Sequence, residues 1–199
     1  MVVVGWLLWS VSAGAAELTV ELNYGVPGKG AQAAPMPLPD LPAQPLKILP
    51  FTDSRPGDQS IMGEVRRDSQ SVALRAKTAI AIFAANAFRN IYEEWGGQQA
   101  ENAQLQLKGD VTRFALEDGD GYSASVGVRF FLSDAAGLVL WEGSVAGVVK
   151  GIGKVLTVAT YPEIMNDVTR EAYQQLLGDE KFRAVWSGKL RPPPGAVRQ

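Results

Sequence analysis

Tyr122-Ser-Ala-Ser-Val-Gly-Val-Arg-Phe-Phe-Leu-Ser133 is the stretch on which the fold turns. Tyr122, Ala124, Val126, Val128, Phe130 and Leu132 fall on one side, and Ser123, Ser125, Arg129 and Ser133 on the other; only Phe131 breaks the rule. An extended chain points successive side chains to opposite faces, so this segment is a strand with one face on a core. Before it, Leu105, Leu107 and Val111 alternate with Gln104, Gln106, Lys108 and Asp110. After it, residues 138–149 read as a third strand. The linkers Glu117-Asp-Gly-Asp-Gly121 and Ser133-Asp-Ala-Ala-Gly137 have hairpin chemistry. Three strands joined this way form an antiparallel meander.

Helical periodicity flanks the meander. Val72, Ala76, Ala79, Ile80, Phe83, Ala87, Ile91 and Trp95 recur every three or four residues and predict a helix over 72–95. Ser71 is its expected N-cap, and Gly96-Gly97 its stop. Residues 52–71, before it, are polar and read as a loop. Near the C-terminus, Thr160-Tyr-Pro-Glu163 reads as a capping box with proline in the first turn. Ile164, Met165, Val168, Ala172, Leu176 and Leu177 form the stripe behind it, Gly178 stops it, and residues 179–186 add a short helical turn. A sheet with one apolar face covers both helices most economically. The expected fold class is therefore α+β, an antiparallel meander sheet with two helices packed on one face.

The amino terminus reads as an address. Residues 2–16 run from Val-Val-Val-Gly-Trp-Leu-Leu-Trp into small residues, which is short of the roughly 20 apolar residues that span a bilayer. Ala13-Gly-Ala15 suits the small-residue positions of a secretory cleavage site, with the cut between Ala15 and Ala16 or one residue later. The expectation is an exported protein of the periplasm, or of the periplasmic face of a bacterial envelope, with no stable transmembrane segment after processing. The mature chain then divides into a strand at 17–24 with a Pro- and Gly-rich spacer to 44, a single domain at 45–186, and a loose tail at 187–199. Leu46-Lys-Ile-Leu-Pro-Phe51 opens that domain as a short strand.

The composition excludes whole classes of chemistry. The 199 residues contain no cysteine and no histidine. Disulfides, thiolate metal sites, Ser–His–Asp relays and HExxH zinc sites are gone at once. A net charge of -2 with scattered basic residues offers no footprint for nucleic acid. What survives is carboxylate or lysine catalysis, or an oxygen-ligand metal site.

Each remaining motif has a structural explanation. Asp118-Gly-Asp-Gly121 opens like a calcium loop, but Tyr122 and Arg129 stand where ligands belong, so it reads as a turn. Gly151-Ile-Gly153 lacks the third glycine of a phosphate-binding loop and follows a meander strand. Glu93-Glu94 and Asp179-Glu180 are not placed as a glycosidase pair. Asp53-Ser-Arg55 sits in the polar loop after a core strand, where either a functional role or an internal Asp–Arg pair fits. Trp141 makes the third strand apolar on both faces, the mark of double cover or of an interaction surface. Asp53, Arg55 and Trp141 are the candidate interaction residues; no catalytic, metal or cofactor-binding residue stands out.

The order of elements, together with Leu46-Lys-Ile-Leu-Pro-Phe-Thr-Asp-Ser-Arg55, Leu105-Gln-Leu-Lys-Gly-Asp-Val111, Val126-Gly-Val-Arg-Phe-Phe131, Gly137-Leu-Val-Leu-Trp-Glu-Gly143 and Leu176-Leu-Gly-Asp-Glu-Lys-Phe182, resembles the YajG-type family of bacterial envelope lipoproteins. The likeness covers residues 45–186. It implies an envelope location and brings no functional residues with it. That family carries a lipid-modified cysteine after its signal, which this sequence lacks.

The expected function is a non-enzymatic envelope protein that binds another envelope protein or component. The alternative is a carrier or transporter-auxiliary subunit holding a lipid or glycan in a pocket lined by Phe83, Trp95 and Phe130; a carboxylate-dependent hydrolase is the third reading. Neither the partner nor the oligomeric state can be read from the chain.

Overall fold

In the computed structural model, residues 17–25, 40–67, 70–152 and 156–190 are described. The export segment with Ala15 and Ala16, most of the Pro-rich spacer and the tail from 191 lie outside them. The described strands are β1 (Glu17–Val20), β2 (Leu46–Ile48), β3 (Thr52–Asp53), β4 (Ile61–Arg67), β5 (Gln70–Ala76), β6 (Leu105–Asp118), β7 (Gly121–Asp134) and β8 (Val139–Ile152). The helices are α1 (Ile80–Glu94), α2 (Tyr161–Gly178) and α3 (Glu180–Trp186), with a short 3-10 turn at Val158–Thr160.

The meander is present and longer than the alternation alone suggests. β6 pairs antiparallel with β7 from Leu105↔Asp134 to Asp118↔Tyr122, and β7 with β8 from Gly121↔Ile152 to Ser133↔Val139. Leu107, Val111, Phe114, Val126, Val128 and Phe130 are all buried on the shared inner face.

The sheet as a whole is mixed, which corrects the purely antiparallel expectation. β2, β3 and β4 lie parallel to successive parts of β6, and β1 lies parallel to β5. The order across the sheet is β1-β5-β4-β6-β7-β8. β4 and β5 pair antiparallel where a loop followed by helix is expected. Val72 and Ala76 are four apart, which places them together on a strand as well as on a helix, so the stripe did not discriminate. Pairing with β4 decides for the strand, and the helix starts at Ile80 behind Ala79, with no side-chain cap and no part for Ser71. At Gly63 the φ of 149° and the Leu116 carbonyl leave no room for a side chain; a Cβ would lie 1.7 Å from that oxygen. The ladder shifts register there.

All three helices cover the inner face, one more than expected. α1 ends as the glycines predict, with the Gly97 N–H donating to the Tyr92 carbonyl at 2.8 Å. At α2 the expected box is displaced by one turn. Thr160 is already helical and makes no side-chain cap, and the Thr157 N–H donates instead to Thr160 Oγ1 at 3.2 Å. Asp179 caps α3 by accepting from the Phe182 N–H at 2.6 Å. Beneath the helices one aromatic chain fills the core, with centroids 5.6 Å apart for Phe51–Phe130, 5.5 Å for Phe88–Phe130, 5.3 Å for Phe88–Tyr173 and 5.8 Å for Tyr92–Trp186. Burying each such side chain contributes about 1.5–3 kcal/mol.

Candidate functional site

The Asp53-Ser-Arg55 motif is folded inward. β3 sets Asp53 beside Val111 of β6, and the chain then turns so that Arg55 reaches back. Arg55 Nε and Nη2 donate to the two Asp53 carboxylate oxygens at 2.9 and 2.8 Å. Its Nη1 donates to the carbonyls of Ile61 and Phe114 at 2.8 and 3.2 Å, and Nη2 also reaches the Gln59 carbonyl. The two side chains are only 9% and 7% exposed. Beside them, Thr52 and Ser54 hydroxyls donate to the buried Asp110 carboxylate at 2.9 and 2.8 Å. The motif therefore ties β3, the following turn, β4 and β6 together.

Trp141 lies on the inner face near the start of β8, with its ring 5.0 Å from that of Phe182 in α3. It also lies across Gly143, where a Cβ would come within 2.3 Å of the indole. Asp53, Arg55 and Trp141 are thus not brought together on one surface.

Several of the acids singled out in the sequence have structural partners. Glu94 pairs with Arg170 of α2 at 2.8 Å, and Asp118 accepts from the Tyr161 hydroxyl at 2.8 Å. Among the described residues no group of three or more Asp, Glu, His or Cys is placed to hold a metal. Phe83 and Phe130, expected to line a carrier cavity, are themselves buried in ring contacts with Phe114 and Phe88, so they fill that space.

Hollows mark the surface of the described residues. An open groove of about 630 Å³ lies where β4, β6, β7 and β8 end, lined by Glu64, Arg66, Asp118, Tyr122, Lys150 and Ile152. Its charges are of both signs, and it takes in Gly151-Ile152; Gly153 lies outside the described residues. A smaller hollow of about 250 Å³ lies between Asn23, Tyr24, Asn86, Arg89 and Asn90. Burial pushes the Tyr24 hydroxyl up to about 12, against the pull of Arg170.

The feature that the alternation did not single out is the position of β8 at the edge of the sheet. Glu142, Ser144, Ala146, Val148 and Lys150 point away from the helices, with Val148 53% and the adjoining Ile152 95% exposed. In the sheet order β8 comes last, so its far side has no partner strand among the described residues. Strand order leaves no trace in a single strand's alternation.

No family model matches the chain, and a search of curated proteins finds no match. Solved structures do resemble it. A Xanthomonas campestris protein of the family DUF330 is 14% identical over 87% of this chain and 99% of its own, with a TM-score of 0.57. Weaker likenesses include the PelC dodecamer from Paraburkholderia phytofirmans, 15% identical over 72% of this chain and 93% of that one at a TM-score of 0.42. A minor lipoprotein from Acinetobacter baumannii is 12% identical over 76% and 97%, at 0.37. At these identities the Xanthomonas likeness is one of fold. The chain is similar in fold to that protein over 87% of its own length.

Proposed function

We propose that this chain is an exported, non-catalytic protein of the bacterial envelope that binds another envelope component through the uncovered side of its sheet. The observation that carries the reading is the asymmetry of the meander. Its inner face is closed by three helices, while its outer face presents small and apolar side chains such as Ala146 and Val148 to solvent. Contiguous exposed apolar surface rimmed by polar side chains marks interaction sites. The internal use of Asp53, Arg55, Asp110 and Asp118 supports a structural account of the polar residues. The YajG-type resemblance supports the envelope location.

In-cell photocrosslinking from position 148 tests it, with position 163 on the exposed side of α2 as control. Covalent capture of a distinct envelope component from 148, and not from 163, is expected. Recovery of nothing beyond the chain itself overturns the reading.

A further inference from the structure

β8 is a 14-residue strand with β7 on one side and no strand on the other among the described residues. Such an edge presents a row of free N–H and C=O groups, which form a template for another strand. Its outward side chains show what kind of strand suits it. Glu142 and Lys150 lie four residues to either side of Ala146, with Ser144 and Val148 between. We propose that two copies of this chain join through their β8 edges, antiparallel, about a twofold axis at Ala146.

The register follows from geometry. Opposed residues in an antiparallel pair share a face, and their backbone groups must match, so registers change in steps that keep outer residues opposite outer residues. Centred on Ala146, Glu142 of each copy faces Lys150 of the other, and Ser144 faces Val148. Sliding either way to the next permitted register puts Glu142 opposite Val148 or Ile152 and leaves both charges without a counterpart. Symmetry makes the favourable pair twice. Within one chain Glu142 has only a loose contact with Arg129, at 3.8 Å and half exposed, and Lys150 has no ion pair among the described residues. The twofold stands perpendicular to the sheet, so the α2 helices of both copies lie on the same side of the joined sheet. Self-pairing does not rest on the envelope reading, because it needs only the purified protein.

Sedimentation velocity over a range of concentrations is the test. The protein is expected to sediment as two copies, with E142K and K150E each weakening the dissociation constant at least tenfold and the double variant E142K/K150E restoring it. Thermal melts of the variants at low concentration check that each folds, since both positions are exposed. Three results overturn the proposal: a monomer at every concentration, an association indifferent to the single reversals, or a double variant as weak as the singles.

Discussion

Arg55 grips Asp53, two residues upstream, with both oxygens of the carboxylate engaged by one guanidinium at 2.9 and 2.8 Å. The planar fork of arginine matches that carboxylate, and its remaining N–H groups satisfy backbone carbonyls of the neighbouring strands. Removing one partner strands the other in a site that is over nine-tenths covered.

Arg55→Ala and Asp53→Asn should therefore each lower stability by about 3–5 kcal/mol, read from urea unfolding. Arg55→Lys should lose most of the same amount, because an ammonium cannot make the paired contact. The exposed Lys108→Ala, as control, should change stability by less than about 0.5 kcal/mol.

The backbone of α2 rests on Gly147. A Cβ there would come within 2.1 Å of the Val168 carbonyl oxygen, which is helix backbone and cannot rotate away. Gly147→Ala should cost about 1–3 kcal/mol through overpacking, with Gly147→Val worse, and α2 amides should lose hydrogen-exchange protection first.

Tyr161, fully buried at the start of α2, donates its hydroxyl to Asp118 at the far end of β6. Tyr161→Phe keeps the ring and removes the donor to a buried acid. A loss of about 1–3 kcal/mol is expected in thermal or urea unfolding.

Asp167 supplies a pH dependence. Burial pushes its carboxyl up to about 6, with Glu163 adding to the rise and Arg170 opposing it. In the unfolded chain the group titrates near about 4. The folded form thus holds the proton to higher pH, and this residue's contribution to stability falls as pH rises from about 4 through 6. Asp167→Asn should flatten that fall: more stable than wild type at pH 7, and little different at pH 4. Paired urea titrations at the two pH values check the sign.

Mass spectrometry of natively produced protein should find the chain beginning at Ala16 or Glu17. Retention of Met1 on protein recovered from the cytosol would end the export reading.

Legibility differed from one segment to the next. The alternation of residues 122–133 placed β7, and the glycine turns placed its partners, because a hairpin is a local decision. The pairing of β4 with β5 is not legible locally, since Val72, Leu74 and Ala76 suit a strand but Val72 and Ala76 also continue the stripe of α1. Gly63 interrupts the alternation of β4 where it crosses Leu116, and Arg55, which holds the segment down, has partners up to 59 positions away. The internal Asp53–Arg55 pair was one of two readings open from the motif. Trp141 drew notice for the strand's two apolar sides, yet its ring contact comes from α3.

By itself the sequence determined which chemistry is absent, where the meander and the main helical stripes lie, and that one face of the sheet is apolar. These follow from composition and from periods of two and 3.6, properties of a few neighbouring residues. Only the tertiary structure decided that β2, β3 and β4 run parallel to β6, that Arg55 is a clamp, and that β8 has no strand beyond it among the described residues. Those outcomes depend on which distant segments meet, and pairing between distant segments is written in no single stretch of chain.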